Sequence, residues 1–206
     1  MGKTSTEPRF PTVAVSDAFM ASCAAFAGLS AWRGGTVVSA LGFWGVAAAC
    51  CAGVLRFGFS PDQFRPFNEN LAAHAGRVSI PLIGLGVAHK VPALAPYLED
   101  QIVCVGVLSI AFAASLGLNH PNTELYTTII SAAGILTVIA HSYASDCLHG
   151  VVGGVLFVVG GLAIGADRHR SLMGVRRENL FHYCLGSAFV LMSRAPGLNA
   201  LPVPFV

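Results

Sequence analysis

Between Arg33 and Arg56 the chain runs for 22 residues without a charged side chain, and runs of that kind recur at 102–118, 125–143 and 147–166. Each is about as long as a helix must be to cross a hydrocarbon core roughly 30 Å thick. In hydrocarbon every backbone N–H and C=O has to find its partner inside the segment, so an apolar run of this length reads as a transmembrane helix. The expectation is an all-α polytopic bundle. Charged residues make up 11% of the chain and hydrophobic ones 54%, against about 25% charged in a soluble domain. A net charge of +2 carries no nucleic-acid footprint, and the expected surroundings are the lipid bilayer.

The pattern predicts seven spans, at about 13–32, 36–57, 71–91, 101–118, 124–143, 147–166 and 179–193. The cytosolic tail would be 1–12 and a short C-terminal tail 195–206, with the bundle occupying 13–194. Six spans is the alternative, because the last segment has only about 15 residues, roughly 22 Å of helix. A polar connection is expected at 58–70, and His74, Arg77 and Pro81 interrupt the third span. If all seven cross, Lys3, Arg9, Arg56, Arg65, Arg77, Arg168, Arg170, Arg176 and Arg177 share the N-terminal side, and only Arg33, Lys90 and Arg194 lie opposite. Cytosolic loops carry the excess of Lys and Arg, so the N-terminus is expected in the cytosol. The N-terminal segment does not read as a cleaved signal peptide, and the first six residues match the N-myristoylation pattern at Gly2.

A shift of 109 residues lays spans one to three on spans five to seven and superposes Glu69, Asn70 and Leu71 on Glu178, Asn179 and Leu180. Such a duplication implies a parallel 3+1+3 plan. The six cysteines fall in or beside spans and do not form a disulfide framework; buried thiols there act as small hydrophobes. In span six, Gly150 with Gly154 and Gly161 with Gly165 form two small-xxx-small pairs that permit close helix–helix approach, within the chain or across a dimer.

Two polar groups are candidates for chemistry. The first is His141, Asp146 and His149, with Ser142, Ser145, Cys147 and His89 nearby, at the non-cytosolic ends of the spans. Imidazoles with a carboxylate suit zinc with an open position for water. The competing structural reading has Asp146 or Ser145 N-capping span six. The second group is cytosolic: Glu69, His74 and Arg77 opening span three, and Glu178, His182 and Tyr183 opening span seven. Acids in a first helical turn favour the helix dipole. Ionisable groups inside membrane segments also mark solute pathways, and short interrupted segments in matching halves point to a transporter's site. The substrate-binding candidates are therefore Glu69, His74, Glu178 and His182.

The run from Glu178 to Gly186 resembles a segment of the seven-helix membrane hydrolases of the alkaline ceramidase type. That family builds a zinc site from histidines, an aspartate and a serine. The chain departs from it in lacking a second histidine three or four residues from His182, so no ligand assignment follows. The Asp167-to-Leu172 loop before Phe181, His182 and Tyr183 is similar to a vertebrate multi-pass family, transmembrane protein 276, which implies a membrane bundle and no particular activity. Three functions stay open at this point: a scaffold or assembly component with no enzyme activity and no cofactor, a small-solute transporter, and a zinc-dependent membrane hydrolase.

Overall fold

A computed structural model describes residues 8–94, 123–165 and 170–199, and 81% of them are helical. The expected span at 101–118, Gly2, Cys104 and Arg168 lie outside the described residues. The helices are α1 (Pro11–Arg33), α2 (Val37–Phe59), α3 (Pro61–His89), α4 (Thr123–Ala144), α5 (Leu148–Ile164) and α6 (Arg177–Met192). A two-stranded hairpin, β1 (Ser171–Leu172) with antiparallel β2 (Val175–Arg176), precedes α6. Three of the helices, α1, α2 and α3, are long and apolar enough to cross a membrane.

Each described helix packs on its neighbour in the chain, and α6 returns to pack on α1, which closes a six-membered ring. One apolar cluster links the helices. Met20, Ala24 and Ala27 of α1, Phe43 and Val46 of α2, Ile83 and Val87 of α3, Ile135 and Val138 of α4, and Leu185 and Phe189 of α6 form one buried cluster. Phe43 and Phe189 meet edge-to-face across the ring at 5.5 Å, the geometry aromatic quadrupoles prefer. The outward faces are also apolar: Val15 and Phe26 of α1, Leu125 and Leu136 of α4, and Leu148 and Leu162 of α5 are exposed. A protein meant for water covers such faces with charge.

Glycines set the helix separations. A Cβ on Gly84 of α3 would strike the backbone of Gly134 on α4. On α5, Gly150 and Gly154 lie against Ser142 and Ile139 of α4, and Gly153 against the α6 backbone at Ala188 and Met192. Among the described residues Gly161 has no neighbour within 4 Å, and Gly165, at φ +66°, ends the helix with the Arg177 side chain 3.9 Å from where a Cβ would stand; the close helix–helix approach is made by the first expected glycine pair.

The short connections follow from local chemistry. At the end of α1, the Gly35 N–H bonds to the Trp32 carbonyl at 3.1 Å and the Thr36 N–H to the Ala31 carbonyl at 2.9 Å. Gly35 has φ +73°, which makes this a Schellman stop with glycine in the left-handed position. The end of α4 repeats the pattern: Asp146 N–H to Tyr143 O at 3.1 Å, Cys147 N–H to Ser142 O at 2.8 Å, and Asp146 at φ +53°.

Three differences from the sequence-based expectation have physical causes. The stretch expected as a connection at 58–70 is helical from Pro61, because Pro at the first helical position is pre-set for the helix. α3 then tolerates Pro81 through a wide π-type turn at Ala75–Ser79; the proline has no N–H for the Arg77 carbonyl, and the wider turn absorbs the mismatch. Asp146 does not cap span six: α5 starts after Cys147 with no side-chain cap, and Asp146 serves the end of α4 instead.

Candidate functional site

α1 enters the bundle with two polar side chains, Ser16 and Asp17, in its second turn. Both face inward, 0% and 4% exposed. Opposite them stand the first turns of α6, where Glu178, Asn179 and His182 are 4%, 6% and 8% exposed. Residue 182 lies four after 178 and three after 179, so all lie on one helical face. That face is turned to α1.

The contacts are specific. Ser16 Oγ donates to the Val13 carbonyl at 2.9 Å or to Asn179 Oδ1 at 3.3 Å, and lies 3.0 Å from His182 Nδ1. Asp17 Oδ1 is 3.5 Å from the same nitrogen. A Cβ on Gly53 of α2 would strike Asp17 Oδ2, so glycine there makes room for the carboxylate. Serine, histidine and aspartate are together, but not as a nucleophilic triad. In a triad the acid and the serine occupy opposite nitrogens of the imidazole, and here both address Nδ1.

One turn beyond Gly53 the buried Arg56 forms a second polar node. Its Nη1 donates to Asn68 Oδ1 at 3.2 Å and pairs with Glu69 Oε1 at 3.2 Å, and the guanidinium stacks on Phe57, 5.0 Å from the ring centre. Asn68 passes the chain of bonds to the Ala49 carbonyl at 3.4 Å. Glu69 also accepts from Arg65 at 3.0 Å on the exposed side. The two nodes sit at the same end of the bundle, where α1, α3 and α6 begin and α2 ends.

Of the residues expected to bind substrate, Glu178 and His182 therefore stand inside the bundle, Glu69 at its margin beneath Arg56, and His74 one turn further along α3, with its Nδ1 2.6 Å from the Asn70 carbonyl. The zinc candidates lie at the opposite end. His141 is half-buried, while Asp146 and His149 are exposed. Among the described residues no group of three or more His, Cys, Asp and Glu side chains is arranged to hold a metal ion.

Ser16, Asp17, Arg56, Asn68 and Asn179 were not expected at the site. One signal was available: Asp17 is the only carboxylate within the 23 residues of α1, and an isolated acid in such a helix is a functional candidate by default. Asn68 and Asn179 carried none, being two ordinary amides near helix starts. No protein-family model, curated protein or solved structure matches the chain.

Proposed function

We propose that this chain is a multi-pass integral membrane protein of seven spans, with its N-terminus in the cytosol, that carries a small polar solute through its bundle. The observation behind the reading is the placement of Ser16, Asp17, Glu178, Asn179 and His182 together inside a ring of helices whose outer faces are apolar. Taking such groups out of water is costly, and within membrane segments they concentrate on solute and proton pathways. The zinc-hydrolase reading draws no comparable support from His141, Asp146 and His149, which stand at the far rim.

The 3+1+3 plan is part of the proposal. α1 and α4 stop on the same Schellman geometry three residues before the next helix, and α2 and α5 each close in a π-type turn, at Leu55–Phe59 and Gly160–Ile164. Two matched helix pairs are what a parallel duplication would leave. Widened turns of this kind often occur at functional positions.

The test is reconstitution in sealed vesicles with a panel of radiolabelled small polar solutes, comparing the native chain with Asp17→Asn and His182→Gln. Uptake that both substitutions remove supports the carrier. No uptake of any solute by a folded, correctly oriented chain would leave the scaffold reading. A tag at the N-terminus that is accessible only from outside intact cells would overturn the orientation.

A further inference from the structure

The ring closes at the seam between α1 and α6, and that seam has two parts. Deeper in the bundle it is apolar and tight: a Cβ on Gly186 would press on Phe19 and Cys23. At the end where both helices begin it is held by Ser16, Asp17, Asn179 and His182. The first and last helices of the ring are thus joined there by groups that can gain and lose a proton.

We propose that Asp17 and His182 form a proton-binding site, and that the proton is the coupling ion of the carrier; only the second clause rests on the transport reading. With His182 neutral, its Nδ1–H is donated to Ser16 Oγ at 3.0 Å, and the Ser16 hydroxyl proton goes to the Val13 carbonyl. Asp17 is then a carboxylate and the pair carries one negative charge. A proton arriving at Nε2 makes imidazolium, whose Nδ1–H now faces the Asp17 carboxylate at 3.5 Å. The pair becomes net neutral. One N–H bond forms, nothing is oxidised or reduced, and no heavy atom has to move.

Ser16 makes the exchange possible. Its single hydroxyl proton has three acceptors within reach, Val13 O, Asn179 Oδ1 and His182 Nδ1, so rotating one torsion serves either tautomer of the ring. Histidine is the side chain whose charge changes nearest neutral pH. The groups that bear on the pair are Glu178, one turn before His182 and buried with it, and Tyr183, edge-on to Phe19 at 5.4 Å. From α2 come Cys50 and, past Gly53, Arg56 with its Asn68 and Glu69 partners. Arg176 lies above, stacked 4.2 Å from the Phe10 ring, and the one titratable side chain of α5, His149, stands at the opposite end of the bundle.

The test uses the full chain in lipid nanodiscs, followed by infrared difference spectroscopy between about pH 5 and 8. An imidazole transition is expected that His182→Gln removes and Asp17→Asn displaces, with a carboxylate band that moves in step and is missing in Asp17→Asn. Ser16→Ala keeps both titrating groups and is expected to move the midpoint by about half a pH unit or more. If all three variants reproduce the native transition, the site does not bind a proton there and the proposal fails. Should the two charge variants not fold, an unmoved midpoint in Ser16→Ala overturns it alone. In vesicles carrying an internal pH dye and an imposed membrane potential, proton entry is expected to fall in both charge variants to the level of empty vesicles. An intact transition without proton entry keeps the site and sinks the coupling; proton entry that ignores both substitutions sinks the inference and leaves the carrier.

Discussion

Gly84 and Gly134 touch across the α3–α4 crossing, yet they should respond oppositely to the same methyl group. A Cβ built on Gly84 points into the Gly134 backbone, 2.7 Å from its carbonyl carbon and 2.8 Å from its oxygen. Main chain cannot rotate away, so the two helices must separate. A Cβ built on Gly134 finds its nearest atoms at 3.4, 3.5 and 3.8 Å, ordinary contact distances. Both changes place alanine in a helix and share the same propensity gain, about 1 kcal/mol. Overpacking against backbone costs about 3 kcal/mol, the upper end of its range, because no side chain can yield. Gly84→Ala should therefore lose about 2 kcal/mol net, and Gly134→Ala should be neutral or more stable by up to about 1 kcal/mol. Equilibrium unfolding of the two single variants in the same detergent, by SDS titration or thermal scan, measures the difference. Equal losses would mean that the crossing is symmetric, with both Cβ positions facing backbone, and would refute the argument from the Gly84 and Gly134 distances.

Asp146 occupies a left-handed position that glycine fills more cheaply, so Asp146→Gly should stabilise by about 1 kcal/mol, whereas Asp146→Ala should gain nothing; a loss in the glycine variant would restore a capping or ligand role. Arg56→Ala removes a buried guanidinium that holds Asn68 and should cost about 2–3 kcal/mol, while Arg65→Ala, whose ion pair is half-exposed on both sides, should cost less than about 0.5 kcal/mol. Similar losses in the two unfolding curves would argue against the burial of Arg56. The α6 segment placed alone in a membrane-integration reporter should insert poorly and yet cross in the whole chain; efficient insertion by itself would show that its own hydrophobicity suffices.

The apolar runs located α1, α2, α4 and α5 to within a few residues, because helix length in hydrocarbon is set by backbone hydrogen bonding and shows directly as composition. They failed at 58–70, where Asp62, Arg65, Glu69 and two prolines read as a loop. That stretch forms the polar first turns of α3, with its charges either outside or under Arg56. Composition distinguishes apolar from polar, and does not distinguish a polar helix from a connection. The site was half legible for a related reason. Glu178 and His182 stood out as charges near a span. Ser16 and Asp17 sit near the start of a span, and only the closing of the ring shows that α1 and α6 present those ends to each other.

The last segment shows what tertiary structure adds. Sixteen helical residues reach about 24 Å, and Pro196 forbids a straight extension. The chain instead continues beyond α6 as a compact turn with Ala195 and Leu198 fully buried. Its carbonyls are met by side chains from other helices: Ser30 Oγ donates to Ser193 O and to Leu198 O at 3.2 Å, Thr36 Oγ1 donates to Gly197 O, and Cys147 Sγ lies 3.4 Å from Arg194 O. Irregular backbone shut away from water needs hydrogen-bond partners, and here the ends of α1 and α4 supply them. The principal partners of α6 are α1 and α5, and α5 meets it at a glycine, Gly153, which lies against the α6 backbone at Ala188 and Met192. The apparent shortfall in length is thus met by donors more than 40 residues away in sequence, a pairing that nothing in the local sequence at Ser30, Thr36 or Cys147 announces.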